Sequence, residues 1–171
     1  MKNIYLFFIF LLILGCSNDN SSYITKTPIS CPLILFSSEH KIYIGSSTQD
    51  ISLENIEYRG EINNAIFPNE CSLKNSVFSS EFSILFILEP LIDNNNLLEI
   101  PFYVAILNEK KELQDMLYFL ASGKFKKDPQ TNKLIETDII KTIILENKNI
   151  NESSIIVVGY VLDKNKIDIL N

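Results

Sequence analysis

Along this chain the apolar residues gather into short runs at 33–36, 41–44, 56–62, 78–88, 100–107, 113–125, 139–145 and 155–162, rich in Ile, Val, Phe and Tyr. Most are of strand length, and β-branched and aromatic side chains suit a pleated, half-buried surface. In the clearest run Phe78, Phe82, Ile84, Phe86 and Leu88 alternate with Val77, Ser79, Glu81 and Ser83. A period of two sends the aromatics to one face, so this run predicts a half-exposed strand. Residues 100–107 (IPFYVAIL) are apolar on both faces, and Pro101 near the start suits a strand entry better than a helix interior. Polar clusters at 93–96, 108–110, 127–129 and 147–151 carry turn chemistry. One run is ambiguous: Leu113, Met116, Leu117 and Leu120 also fit the i, i+3, i+4, i+7 stripe of a helix. Seven or eight strands at hairpin spacing predict an all-β chain, folded as one antiparallel β-sandwich of immunoglobulin-like or fibronectin-like layout.

The N-terminus follows a different pattern. After Lys2 the run 4–14 (IYLFFIFLLIL) is unbroken and ends at Gly15-Cys16, followed by the polar stretch 17–22. A spanning helix needs roughly 20 apolar residues, so the run has the length and flanks of an export signal. Ile13-Leu14-Gly15-Cys16 resembles the bacterial lipobox, with an aliphatic residue three before the cysteine and a small one just before it. The resemblance implies a diacylglycerol on the thiol of Cys16 and a further acyl chain on the new N-terminus, a multi-chain anchor that is effectively permanent. An uncleaved anchor and ordinary secretion are the alternatives. The expected organisation is a lipoprotein signal peptide at 1–15, a tether at 16–30 containing Pro28, and a sandwich domain at 31–171. Ser17, rather than aspartate, follows the cysteine. By the enteric sorting rule that places the protein in the outer membrane, facing the periplasm.

Charge narrows the partners. The 171 residues carry a formal net charge of −6, which becomes one unit more negative once Lys2 leaves with the signal. An acidic chain is repelled at range by nucleic acid and by anionic headgroups. The expected partners are the membrane, through the N-terminal lipid, and an envelope protein of unknown identity, with no nucleic acid. A domain of this size can bury roughly 68–70% of its unfolded surface and needs no metal to hold its core.

Catalytic chemistry is hard to assemble from these residues. A Ser-His-Asp triad would have to use His40, the single histidine, and no Gly-x-Ser-x-Gly elbow is present. The expectation for His40 is a solvated surface residue. His40, Cys31 and Cys71 lack metal-ligand spacing, so no metal is expected. Glu54 with Glu57, or Glu109 with Glu112, could pair as acid and base, though solvated surface charge is the simpler account. The five glycines stand isolated, so no phosphate-cradling loop and no nucleotide cofactor is expected. Phe67, Phe78, Phe82, Phe86, Phe102, Tyr103, Tyr118 and Phe119 could line a ligand cavity or fill a sandwich core.

Cys31 and Cys71 remain once Cys16 is consumed by lipid, an even pair in an oxidising compartment, and a disulfide between them is expected. Two buried free thiols or a redox-active pair are the competing possibilities.

The motifs Cys31-Pro32-Leu33-Ile34-Leu35, then Cys71, then 100–106 (IPFYVAI) and Gly159-Tyr160-Val161-Leu162 are similar to those of a family of small uncharacterised alphaproteobacterial lipoproteins. Its members have a Cys-Pro start, a second cysteine, a Pro-Tyr-Phe-Val-Ala-like strand and a Gly-Phe-Gln-Leu-like terminal strand. Here Phe102-Tyr103 stands in inverted order and Val161 replaces a polar residue. The resemblance implies that 113–125 is one arm of a hairpin, and it transfers no functional residue. The expected function is a non-catalytic binding or assembly module of the envelope; the alternative is a periplasmic carrier or receptor for a small apolar molecule.

Overall fold

The computed structural model describes residues 26–46, 48, 51–93 and 98–170. The expected signal segment and Cys16 lie outside them. Twelve strands and one helix follow along the described chain: β1 (Lys26–Ile29), β2 (Leu33–Phe36), β3 (Ile42–Gly45), β4 (Tyr58–Ile66), β5 (Cys71–Lys74), β6 (Val77–Pro90), β7 (Leu98–Leu107), β8 (Leu113–Gly123), β9 (Lys126–Lys127), β10 (Leu134–Ile135), β11 (Thr137–Asn147), β12 (Ile155–Tyr160) and α1 (Lys164–Leu170).

The first sheet is organised on β6. Along one edge β11 pairs with it antiparallel from Asn147↔Phe78 to Thr137↔Leu88. The other edge is shared: β4 takes the half near Pro90 and β5 the end near Val77. Beyond these, β3 pairs with β4 and β1 with β5. The second sheet runs β2-β12-β7-β8. Its pairs β12–β7 and β7–β8 are antiparallel, while β2 and β12 run parallel, the one departure from the expected antiparallel arrangement. The two sheets pack face to face as a β-sandwich, with β9 and β10 forming a small separate hairpin.

Alternation in β6 explains the packing. Phe78, Phe82, Ile84, Phe86 and Leu88 are fully buried, and the intervening positions face outward. They meet Phe102, Val104, Ile106, Ile156, Val158 and Tyr160 from the second sheet. The ring of Phe86 lies 5.2 Å from that of Phe102 and 5.9 Å from that of Tyr160, so aromatics from both sheets close the interior. Each such burial stabilises by about 1.5–3 kcal/mol relative to exposure.

Turns form where short polar side chains bond the backbone. Asn75 and Ser76 both have positive φ, 51° and 66°, the type I′ geometry that joins β5 to β6. Asn108 Oδ1 accepts from the backbone N–H groups of Lys110 and Glu112 between β7 and β8. Asp128 Oδ1 does the same for Gln130 and Thr131, and Asn147 for Asn149.

Two local features depart from expectation, and one ambiguous segment is resolved as the hairpin arm that the resemblance implied. Strand pairing begins at Lys26, inside the stretch expected to be tether, because β1 finds a backbone partner in β5. The segment with the helical stripe is strand β8, paired with β7 over its whole length. A C-terminal helix, α1, follows Asp163, whose carboxylate accepts from the Lys166 N–H at 2.9 Å as an N-cap does.

Candidate functional site

The outward side chains of the β2-β12-β7-β8 sheet make an apolar face. On β12 the residues Ile156, Val158 and Tyr160 point into the core, leaving Ile155, Val157 and Gly159 outside. Register then places Leu33 beside Ile155 and Leu35 beside Val157 on one flank. On the other flank Leu107, Ala105 and Tyr103 of β7 lie beside the same three β12 residues. Beyond them Met116 opposes Ala105, Tyr118 opposes Tyr103 and Leu120 opposes Pro101. Between Leu33 at one corner and Leu120 at the other, no outward side chain on these four strands is charged. Polar ends are reached only at Gln114 and at the pair Glu99–Ser122.

An antiparallel sheet with one buried face ordinarily presents polar side chains on the other. Here Tyr118 is 66% exposed, Leu33 59%, Leu120 44% and Leu35 42%. The Tyr118 hydroxyl donates to the Met116 sulfur at 3.0 Å, and the His40 ring meets Tyr103 edge-on at 5.7 Å, so the surface is knitted together and not a scatter of single leucines.

The opposite side of the molecule is mixed, with Ile66, Ile140 and Ile144 exposed among its charges. Arg59, Glu61, Glu81, Glu89, Asp138 and Glu146 face outward from β4, β6 and β11. Lys41 pairs with Glu61 at 2.8 Å, and this bond holds the Glu61 carboxyl below the usual range. Across the strands Ser83 bonds Thr142 at 2.8 Å and Ser79 donates to Glu146 at 3.0 Å. The two faces therefore differ in charge: on one, ions stand among exposed isoleucines, and on the other no ion interrupts the apolar stretch from Leu33 to Leu120.

The residues singled out from sequence fall in four places. Cys31 and Cys71 are bonded to each other, with Cα atoms 5.1 Å apart, and tie the crossing between β1 and β2 to the start of β5. His40 is half-buried, not solvated as expected: its ring rests on Tyr103 and its Nδ1 is enclosed without a hydrogen-bond partner among the described residues. It borders a cavity of about 300 Å³ between the β2–β3 connection and α1, lined also by Glu39, Leu162, Ile167 and Leu170. The carboxylates Glu109 and Glu112 sit on the exposed β7–β8 turn, where Glu112 accepts from Asn108 at 2.7 Å, and Glu54 and Glu57 lie before β4. The structure does not bring either pair onto the apolar face.

The aromatic candidates divide between core and surface. Phe78, Phe82, Phe86 and Phe102 are fully buried, and Phe67 and Phe119 pack against them, whereas Tyr103 and Tyr118 belong to the outer face. Larger cavities of about 550 and 570 Å³ are open grooves beside β1, one lined by Glu70, Ser79 and Glu81, the other by Cys31, Cys71 and Glu152. Among the described residues no three His, Cys, Asp or Glu side chains are grouped to hold a metal ion.

Sequence reasoning did not single out the apolar face, yet its signal was present. The runs 33–36, 100–107, 113–120 and 155–158 lack the polar alternation that a one-sided strand needs. Comparison with known protein families, curated proteins and solved structures finds no match.

Proposed function

We propose that this protein is a lipid-anchored envelope protein, held through Cys16 at a membrane outside the cytoplasm, and that its domain is a non-catalytic contact module. The outer face of the β2-β12-β7-β8 sheet meets another component of the envelope. The observation that carries this is the uninterrupted apolar character of that face, with Tyr118 and Leu33 more than half exposed and no charge between Leu33 and Leu120, opposite a face where charges interrupt the exposed isoleucines. Such a patch is costly to leave in water and marks an interaction surface. The short apolar run ending at Gly15-Cys16 supports the anchor, and the Cys31–Cys71 bond suits an oxidising compartment. Carriage of a small apolar molecule between the sheets is less well supported, because aromatic rings from both sheets fill that space.

A photo-cross-linking residue placed at Tyr118, and separately at Ile144 on the charged side, tests the assignment in intact cells. Adducts should form from position 118 and be scarce from position 144. Equal yields from both would remove the special status of the apolar face.

A further inference from the structure

We propose that the envelope component covering the apolar sheet face is the lipid surface itself, so that the domain lies down on the membrane that anchors it. This rests on the lipid anchor and contact face proposed above. The tether is short: Lys26, where β1 begins, lies ten Cα–Cα steps along the chain from Cys16. At full extension they span at most about 35 Å. That bounds the domain to the immediate neighbourhood of the bilayer, yet exceeds the roughly 10 Å between packed sheets, so either face of the sandwich can be turned to the lipid.

Charge selects which face it is. The side bearing Arg59, Glu61, Glu81, Glu89, Asp138 and Glu146 also exposes Ile66, Ile140 and Ile144, but its interspersed ions would have to enter a low-dielectric boundary with them. The opposite face presents Leu33, Leu35, Met116, Tyr118 and Leu120 with no ion between Leu33 and Leu120 to desolvate, and leaves the carboxylates of β4, β6 and β11 on the far side of the sandwich. Tyr118 and Tyr103 add rings with an apolar body and a polar tip, the side chains that gather at membrane–water boundaries. A second copy fits less well. Four strands by about five residues give a footprint on the order of 20 by 17 Å, well short of the roughly 800 Å² per partner of a stable protein interface, and two acidic copies repel.

The sequence contains no tryptophan, so one introduced residue reports on its own surroundings. The experiment uses the lipidated full-length product reconstituted into phosphatidylcholine vesicles with brominated acyl chains, with Tyr118→Trp, Leu35→Trp and Ile144→Trp prepared separately. Emission from Tyr118→Trp and Leu35→Trp should be blue-shifted and quenched several-fold more strongly than that from Ile144→Trp. Vesicle flotation is measured on the same samples. Protein that floats with all three tryptophans equally quenched or equally unquenched overturns this inference and leaves the anchor standing. A blue shift without bromine quenching, rising with protein concentration, would assign the face to a second copy and overturn it too. Protein that does not float overturns the anchor, and this inference with it.

Discussion

The hydroxyl of Tyr103 lies over Gly159 on the neighbouring strand, 2.5 Å from where a Cβ on that glycine would stand. The two residues are cross-strand partners on the outer face, so the missing side chain of one is the seat of the other. Gly159→Ala should turn the Tyr103 ring outward and away from His40. Because the displaced atoms are the free end of a side chain, the stability change should stay within about 1 kcal/mol. Thermal unfolding checks the second statement and the His40 ring resonances the first; a collapse of the fold would mean the backbone itself cannot adjust.

The disulfide should contribute much of the domain's stability. Cys31 and Cys71 are 40 residues apart in sequence, and closing such a loop restricts the unfolded chain by about 4 kcal/mol in the entropic account. Replacing both by serine should lower the urea midpoint accordingly, and adding reductant to the parent protein should reproduce the loss. Indifference to reductant in the unfolding curve would contradict this.

Alkali should unfold the protein through its buried phenols. Burial pushes the hydroxyls of Tyr43, Tyr58 and Tyr160 above their ordinary range. The unfolded chain therefore releases their protons first, and stability present below about pH 10 is lost as pH rises further, by about 1.4 kcal/mol per pH unit for each such tyrosine. Tyr160→Phe should reduce that slope by one tyrosine. It should not destabilise at neutral pH, because the Tyr160 hydroxyl is buried with no hydrogen-bond partner among the described residues and such a group costs about 1–3 kcal/mol. Stability measured by denaturant between pH 8 and pH 12, values chosen as about two units either side of the free phenol, decides it. On the acid side the lowered carboxyls of Glu61, Asp128 and Asp163 are exposed. Their contribution is lost as pH falls through their folded values, and it is small.

Much of the sandwich was legible in the sequence and part was not, for reasons tied to particular residues. Residues 78–88 alternate because one side of β6 faces the core and the other water, so its period is visible. In β8 the helical stripe of Leu113, Met116, Leu117 and Leu120 is an accident of a strand apolar on both sides: Leu117 packs inward while Met116 and Leu120 lie on the outer face. The same lack of alternation that obscured the strand is what the apolar outer face looks like in sequence. β1 was invisible because residues 26–29 are held by pairing to β5, a long-range partnership that local composition does not encode. The helix α1 carries an Asp163 cap but only seven residues and no buried side chain, too little for an apolar period to register.

Anchoring has its own test. Cys16→Ser should abolish incorporation of a fatty-acid analogue and leave the leader uncut by the lipoprotein peptidase, since lipid transfer precedes that cleavage. Label retained on the Cys16→Ser protein would place the lipid elsewhere.

The proposed contact at the apolar face is tested most directly by hydroxyl-radical footprinting of intact envelopes, normalised for the intrinsic reactivity of each side chain. In the isolated fold Tyr118 is 66% exposed and Leu53, on a loop before β4, 78% exposed. If the apolar sheet face is covered in the envelope, Tyr118 and its neighbour Met116 are protected while Leu53 reacts freely. Oxidation of Tyr118 in step with Leu53, at the rate its exposure sets, would contradict the account.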